Sequence, residues 1–230
     1  MSDPDLMTRL LAAAKPHVPF DGWSEATLRA AADDAGIAPG LVAAVCPRGA
    51  VDLALAYHEE GDRMMLARLQ ETDLSALRFR DRVAFAVRAR LEAVEDRELV
   101  RRGMTLFSLP PYAADGARAV WRTCDGIWIA LGDTSDDVNW YTKRATLSAV
   151  YGTTVLYWLG DGSEGHARTW AFLDRRIEDV MQIEKLKAQA RDNRFLAGLM
   201  AGPFSSMLGR IRAPQGAQHT GMPGRWNGPK

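Results

Sequence analysis

The sequence predicts an all-α fold. Apolar residues recur at helical spacing through most of the 230-residue chain, and no run alternates as a half-buried strand would. Helix punctuation also recurs at suitable intervals: Ser24, Gly36, "SLPPY" at 108–112 and "DGSEG" at 161–165.

The elements follow in order. Residues 5–14 read as a first helix. In "DGWSEATLRAAADDAG", Ser24 is the expected N-cap, Trp23 and Leu28 form a hydrophobic staple, and Gly36 ends the helix. A short helix over 39–45 and a longer one over 50–71 come next. Phe79, Val83, Val87, Leu91 and Val94 then mark one buried stripe, with Arg80, Arg82, Arg88 and Arg90 read as a solvated face. A helix over 113–131 follows the proline break. The stretch "GDTSDDVNWYTKR" at 132–144 opens a helix of about 25 residues, with Thr134 and Asp137 as its expected capping box. Along it, Val138, Tyr141, Ala145, Ala149, Gly152, Leu156 and Leu159 share one face, and Trp140, Arg144, Leu147, Tyr151 and Trp158 another. Spacing alone favours a central helix with both aromatics in the core. A last regular helix spans about 166–190, and the tail 213–230, with seven Gly or Pro, reads as disordered. The expected division is a unit over 1–60, a larger helical domain over 61–190, a contact helix over 191–212 and the tail.

Composition excludes several function classes. Cys46 and Cys124 make neither a disulfide framework nor a metal spacing, and "HEEGD" at 58–62 is not a zinc motif. No catalytic residue, metal or cofactor is expected, because there is no phosphate loop, nucleophile elbow or paired-carboxylate setting. No apolar run is long enough to cross a bilayer, and the acidic start "MSDPDLMTRLL" resembles no signal or transit peptide. A bacterial cytoplasmic location is expected. Formal net charge is zero but unevenly spread: residues 21–60 hold seven acids against two bases, and residues 185–230 eight bases against one acid.

That distribution bears on two segments. "TLRAAADDAGIAPGLV" at 27–42 echoes the helix-turn-helix of TetR-type repressors, which makes a ligand-responsive regulator the alternative function. Yet the unit is acidic, and 38–47 holds no Lys, Arg, Asn or Gln to read base edges, so no nucleic-acid partner is expected. In "RFLAGLMAGPFSSMLGRIR" at 194–212, Phe195, Leu196, Leu199, Met200, Phe204, Met207, Leu208 and Ile211 repeat at helical spacing between basic ends. This pattern fits a helix lying in a membrane interface. Its glycines and Pro203 make it a poor helix alone, so it needs lipid or protein to fold against.

"DGIWIALGDTSDDVNWYTKRATLSAVYGTTVLYWLGDGS", followed by "TWAFLDRRIEDV", resembles the signature of the lipid-binding accessory proteins of coenzyme Q (ubiquinone) biosynthesis, relatives of the ninth mitochondrial coenzyme Q protein. The resemblance is dense over 125–180 and looser over 20–124. It implies a dimeric, TetR-like fold with a degenerate helix-turn-helix and a cavity for isoprenoid lipids. It also implies presentation of a quinone intermediate to a di-iron ring hydroxylase at the inner membrane. Carried over, it places partner contact at Trp140, Tyr141 and Arg144, with Trp140 exposed. The lipid-lining candidates among the aromatic and apolar residues are Leu106, Phe107, Trp128, Leu131, Leu147, Tyr151 and Trp158.

Overall fold

The structure is a computed structural model that describes residues 4–192, with side chains over 6–182. The contact helix and the tail expected beyond 192, including Phe195 to Ile211, lie outside the described residues. Ten α-helices occur among the described residues, and no strand. They are α1 (Pro4–Ala14), α2 (Val18–Asp21), α3 (Glu25–Asp34), α4 (Pro39–Val45), α5 (Ala50–Glu71), α6 (Phe79–Glu92), α7 (Arg97–Ser108), α8 (Ala113–Ala130), α9 (Val138–Gly160) and α10 (Ala167–Asp192).

The N-terminal unit forms as its sequence dictates. Ser24 accepts from the Thr27 N–H at 3.2 Å, which satisfies an otherwise orphaned donor of α3. Trp23 and Leu28 are buried together with Leu10, Val18, Ala31 and Leu53. The Trp23 indole N–H donates to the Leu99 carbonyl at 3.0 Å and so ties this unit to α7. On α4, Leu41, Ala43 and Ala44 face solvent, with Leu41 51% exposed. The helix a repressor would lay in DNA therefore presents methyl groups here.

α5 links two cores. Its first half packs Leu53 and Ala54 into the N-terminal cluster, and its second half packs Met65 and Leu69 into the main one. The 60/61 boundary expected from sequence falls inside this unbroken helix. The main core joins Val83, Val87 and Leu91 of α6, Cys124 and Ile127 of α8, Leu147, Tyr151 and Trp158 of α9, and Leu173 and Ile177 of α10. Each large apolar side chain buried there contributes roughly 1.5–3 kcal/mol relative to exposure. Burial pushes the Cys124 thiol up to about 12 and the Cys46 thiol to about 11, so both stay protonated.

Four expectations change. The α6 stripe holds at Val83, Val87 and Leu91, but Phe79, at the helix start, is 44% exposed and stacks on Trp128 at 5.6 Å. Arg80, Arg82 and Arg88 reach solvent, whereas Arg90 is buried at 4% exposure. α7 is a full helix where no element was expected, capped by Asp96 accepting from the Glu98 N–H at 2.8 Å. The Thr134–Asp137 box does not form. α9 begins at Val138 with Asp137 itself as N-cap, accepting from the Asn139 N–H at 2.8 Å.

Candidate functional site

The joint between α8 and α9 is built around a buried arginine. α8 ends in a Schellman turn: the Asp133 N–H donates to the Trp128 carbonyl and the Gly132 N–H to the Ile129 carbonyl. Gly132 sits at φ +80°, a left-handed conformation that costs an L side chain but not glycine. The turn aims Asp133 back at α9. Arg144 Nε donates to Asp125 at 2.6 Å and Nη1 to Asp133 at 3.0 Å and to the Trp140 carbonyl at 3.1 Å. Lys143 Nζ adds a second cation on Asp133 at 2.7 Å. Burial would raise the Asp133 carboxyl, but hydrogen bonds from Lys143, Ser135 and Arg144 outweigh it and hold its pKa below the usual range.

This geometry overturns the expected exposure of Trp140 and buries Arg144, the other expected contact residue on that face. Trp140 is 7% exposed and Arg144 1%. Four residues apart, they lie on one face of α9, and that face turns toward α8. The Arg144 guanidinium lies 4.1 Å from the Trp140 ring centroid, and Trp121 and Tyr141 pack on the same indole at 5.9 and 4.8 Å. Tyr141 and Trp121 are half-buried and form the accessible edge of the cluster.

The second feature is a cavity of about 280 Å³ among α5, α6, α7, α8 and α9. Its wall is mostly apolar, with Leu99, Met104, Phe107, Val120 and Val155 prominent. Ser108, Ala113 and Ala117 line it and are exposed, which places its mouth between α7 and α8. Of the seven lipid-lining candidates, Phe107 and Tyr151 are in this wall. Leu106 instead packs between the N-terminal cluster and the small one around Val51 and Leu55. Leu131 and Leu147 belong to the main core, and Trp128 stacks on Phe79 with Lys143 above its ring. Trp158 borders a separate shallow pocket with Arg97 and His166.

The wall also carries polar groups that sequence reading did not single out. Arg90 Nε donates to Asp62 at 2.6 Å and Nη2 to the His58 carbonyl at 3.0 Å. Thr123 Oγ1 lies 2.9 and 3.0 Å from the Asp62 oxygens, and His58 Nε2 lies 2.8 Å from Thr123 Oγ1. Burial pushes the His58 pKa down to about 4, so the imidazole is neutral at pH 7. Tyr57 and Tyr151 are both pushed up to about 12, again chiefly by burial. A close approach makes the cluster possible: a Cβ on Gly61 would lie 2.5 Å from Arg90 Nη1. His58 and Asp62, four apart in "HEEGD", were a readable signal of one polar helix face.

Comparison with known proteins addresses the part of the chain that carries the α8–α9 joint. Residues 113–184 match the COQ9 family model, a span that runs from α8 into α10 and contains Asp125, Asp133, Trp140 and Arg144. The family this chain resembles is COQ9. The mitochondrial ubiquinone biosynthesis protein COQ9 of Drosophila melanogaster is 32% identical over 189 residues, covering 80% of this chain and 58% of the relative. The probable coq9 protein of Dictyostelium discoideum is 27% identical over 192 residues, 80% of this chain and 62% of the relative. Human COQ9 is 27% identical over 202 residues, with coverage of 83% and 62%. The chain thus spans about three-fifths of the length of these COQ9 relatives. A TetR transcriptional regulator from Nitrosomonas europaea superposes with a TM-score of 0.62 at 19% identity, over 76% of this chain and 97% of that one. At that identity it shows the fold alone, and the fold is TetR-like.

Proposed function

We propose that this chain is a non-enzymatic accessory protein of ubiquinone biosynthesis. It takes a prenylated quinone intermediate into the α5–α9 cavity and presents it to a quinone-ring hydroxylase at a membrane surface, in the family's case a di-iron enzyme. The observation that carries this reading is the apolar cavity with an open mouth, in a chain that resembles COQ9 over four-fifths of its length. Its volume lies near the lower end for ligand pockets, suiting one segment of a prenyl chain with its head group better than a whole lipid.

In this reading residues 194–212 supply membrane contact, and two copies associate as a homodimer. The hydroxylase meets the Tyr141–Trp121 edge, with Trp140 and Arg144 holding that edge from behind. Aromatic edges of this kind are enriched at interface hot spots. Solvent extraction of the natively purified protein, followed by mass spectrometry, tests the central step: a prenylated quinone or its precursor should be enriched over bulk phospholipid. Lipid-free protein that also takes up no added prenyl lipid would sink it.

The TetR-like fold favours one other reading, a ligand-responsive repressor. The acidic N-terminal unit and the apolar α4 face weigh against it, since phosphate neutralisation supplies most non-specific DNA affinity. A salt-dependent shift of duplex DNA would revive it.

A further inference from the structure

The rim of the cavity has a composition of its own. Residues 103–114, from the middle of α7 through the turn into α8, hold no charged side chain. Ser108, Leu109, Pro110, Pro111, Ala113 and Ala114 are all exposed, Leu109 at 48%, and Ser108 and Ala113 also line the mouth. The turn is held from beneath. Tyr112 packs against the small core of Val51, Leu55 and Ala119, and a Cβ on Gly116 would lie 2.7 Å from Phe107 Cβ, so α8 comes close to α7 here. The backbone donors of the turn are already satisfied or absent. The Leu109 N–H donates to the Leu106 carbonyl at 3.1 Å and the Tyr112 N–H to the Leu109 carbonyl at 2.9 Å, while Pro110 and Pro111 have no N–H. Unmet backbone groups are what keep irregular chain out of lipid, and this turn has no free donor to desolvate.

The charges bordering this lip are paired. Arg48 meets Asp52 and Asp115, Arg118 meets Asp115, Arg101 and Arg102 meet Glu98, and Glu25 accepts from the Ala50 N–H. Four arginines thus stand against four carboxylates, but their outward reach differs. The Arg118 and Arg48 side chains are 65% and 50% exposed, against 11% for Asp115 and 14% for Asp52. Guanidiniums stand outward around an apolar turn with these two carboxylates beneath them, an order that suits phosphate head groups over a hydrocarbon interior. Resting on the membrane presentation proposed above, we propose that the 108–114 lip is a lipid-contact site distinct from residues 194–212, which seats the cavity mouth directly on a phospholipid bilayer. Leu109 and Pro110 enter the head-group boundary, and Arg48, Arg101 and Arg118 meet phosphate oxygens around them. Among the described residues α8 has no side-chain cap, so its first N–H groups add donors toward the same oxygens. The cavity then opens into lipid, with no aqueous gap for an apolar ligand to cross.

The test uses the full chain. Cys46 and Cys124 are both buried, so a single cysteine placed at the lip takes a polarity-sensitive fluorophore alone. Leu109→Cys and, as a control on the exposed α4 face, Leu41→Cys are labelled and mixed with vesicles of phosphatidylcholine and phosphatidylglycerol. The Leu109 probe should brighten severalfold and be quenched by lipids brominated on their acyl chains, while the Leu41 probe changes little. Unlabelled Leu109→Asp should weaken vesicle binding about three- to tenfold, the factor for keeping one half-exposed leucine in water, at an unchanged melting temperature. Bound vesicles that leave the Leu109 probe no brighter than the Leu41 probe, or binding that Leu109→Asp does not weaken, overturn the lip as a lipid contact and leave membrane presentation through another surface standing. A protein that binds no vesicles overturns both.

Discussion

Two arginines, Arg90 and Arg144, are buried among the described residues, and they differ in how completely their surroundings satisfy them. Arg144 meets two carboxylates, a carbonyl and an indole face at the α8–α9 joint. Arg90 meets one carboxylate and one carbonyl, and it stands in the wall of an open cavity beside a tyrosine hydroxyl with no partner. The first arrangement is closed and structural. The second has fewer partners and stands beside open volume, the setting in which a buried polar group can meet a ligand. Burial of charge alone does not mark a binding site; incomplete satisfaction next to space does.

The largest expected effect is at the α8–α9 joint. Arg144→Met leaves Asp133 buried with only Lys143 and Ser135 as side-chain partners, and should cost about 3–5 kcal/mol of unfolding free energy in urea. A loss below about 1 kcal/mol would mean the joint is not what holds α9 on α8. The cavity side responds to pH instead. The folded His58 pKa of about 4 lies below the ordinary 6.5, so the unfolded chain binds the extra proton. Its contribution is fully present above pH 6.5, falls as pH drops toward 4 and is flat below, a span of about 3 kcal/mol. His58→Gln should flatten that part of the pH–stability curve, while the carboxylate-driven loss at lower pH persists.

Smaller effects sharpen the contrast. Gly152 lies in the cavity wall with nothing within 4 Å of a Cβ built on it. Gly152→Leu should fill space and stabilise α9 by up to about 1 kcal/mol while reducing ligand uptake. Thermal melts with added prenyl lipid would reveal both at once: a higher melting temperature without ligand and a smaller ligand-induced shift. Tyr57→Phe is the smallest change. Its melting temperature should stay level or rise slightly, because an unpartnered hydroxyl contributes no bond to lose.

Much of the scaffold was legible in the sequence. Ser24, Gly36 and the apolar spacing of 50–71, 113–131 and 166–190 placed helices close to where they stand, because caps and periodicity are local signals. α7 was legible as well, since Leu99, Val100, Met104, Leu106 and Phe107 recur at helical spacing behind the Asp96 cap, yet no element was expected there. The site was less legible. Periodicity tells which residues share a face but not what stands opposite. Trp140 and Arg144 are buried because Asp125 and Asp133, brought round by the Gly132 turn, receive the guanidinium. Arg90 is buried because Gly61 leaves room for it and Asp62 answers its charge. Phe107 and Tyr151 reach the cavity while Leu131 and Leu147, no less apolar, do not. That difference depends on helix packing, which one sequence does not reveal.

The most direct measurement compares lipid carried by wild-type and Gly152→Leu protein purified side by side, by solvent extraction and quantitative mass spectrometry. A prenylated quinone or precursor should be enriched in wild type and depleted severalfold in the variant, with membrane phospholipid carry-over equal in both. Equal prenyl lipid in the two proteins, or none in wild type, would contradict it.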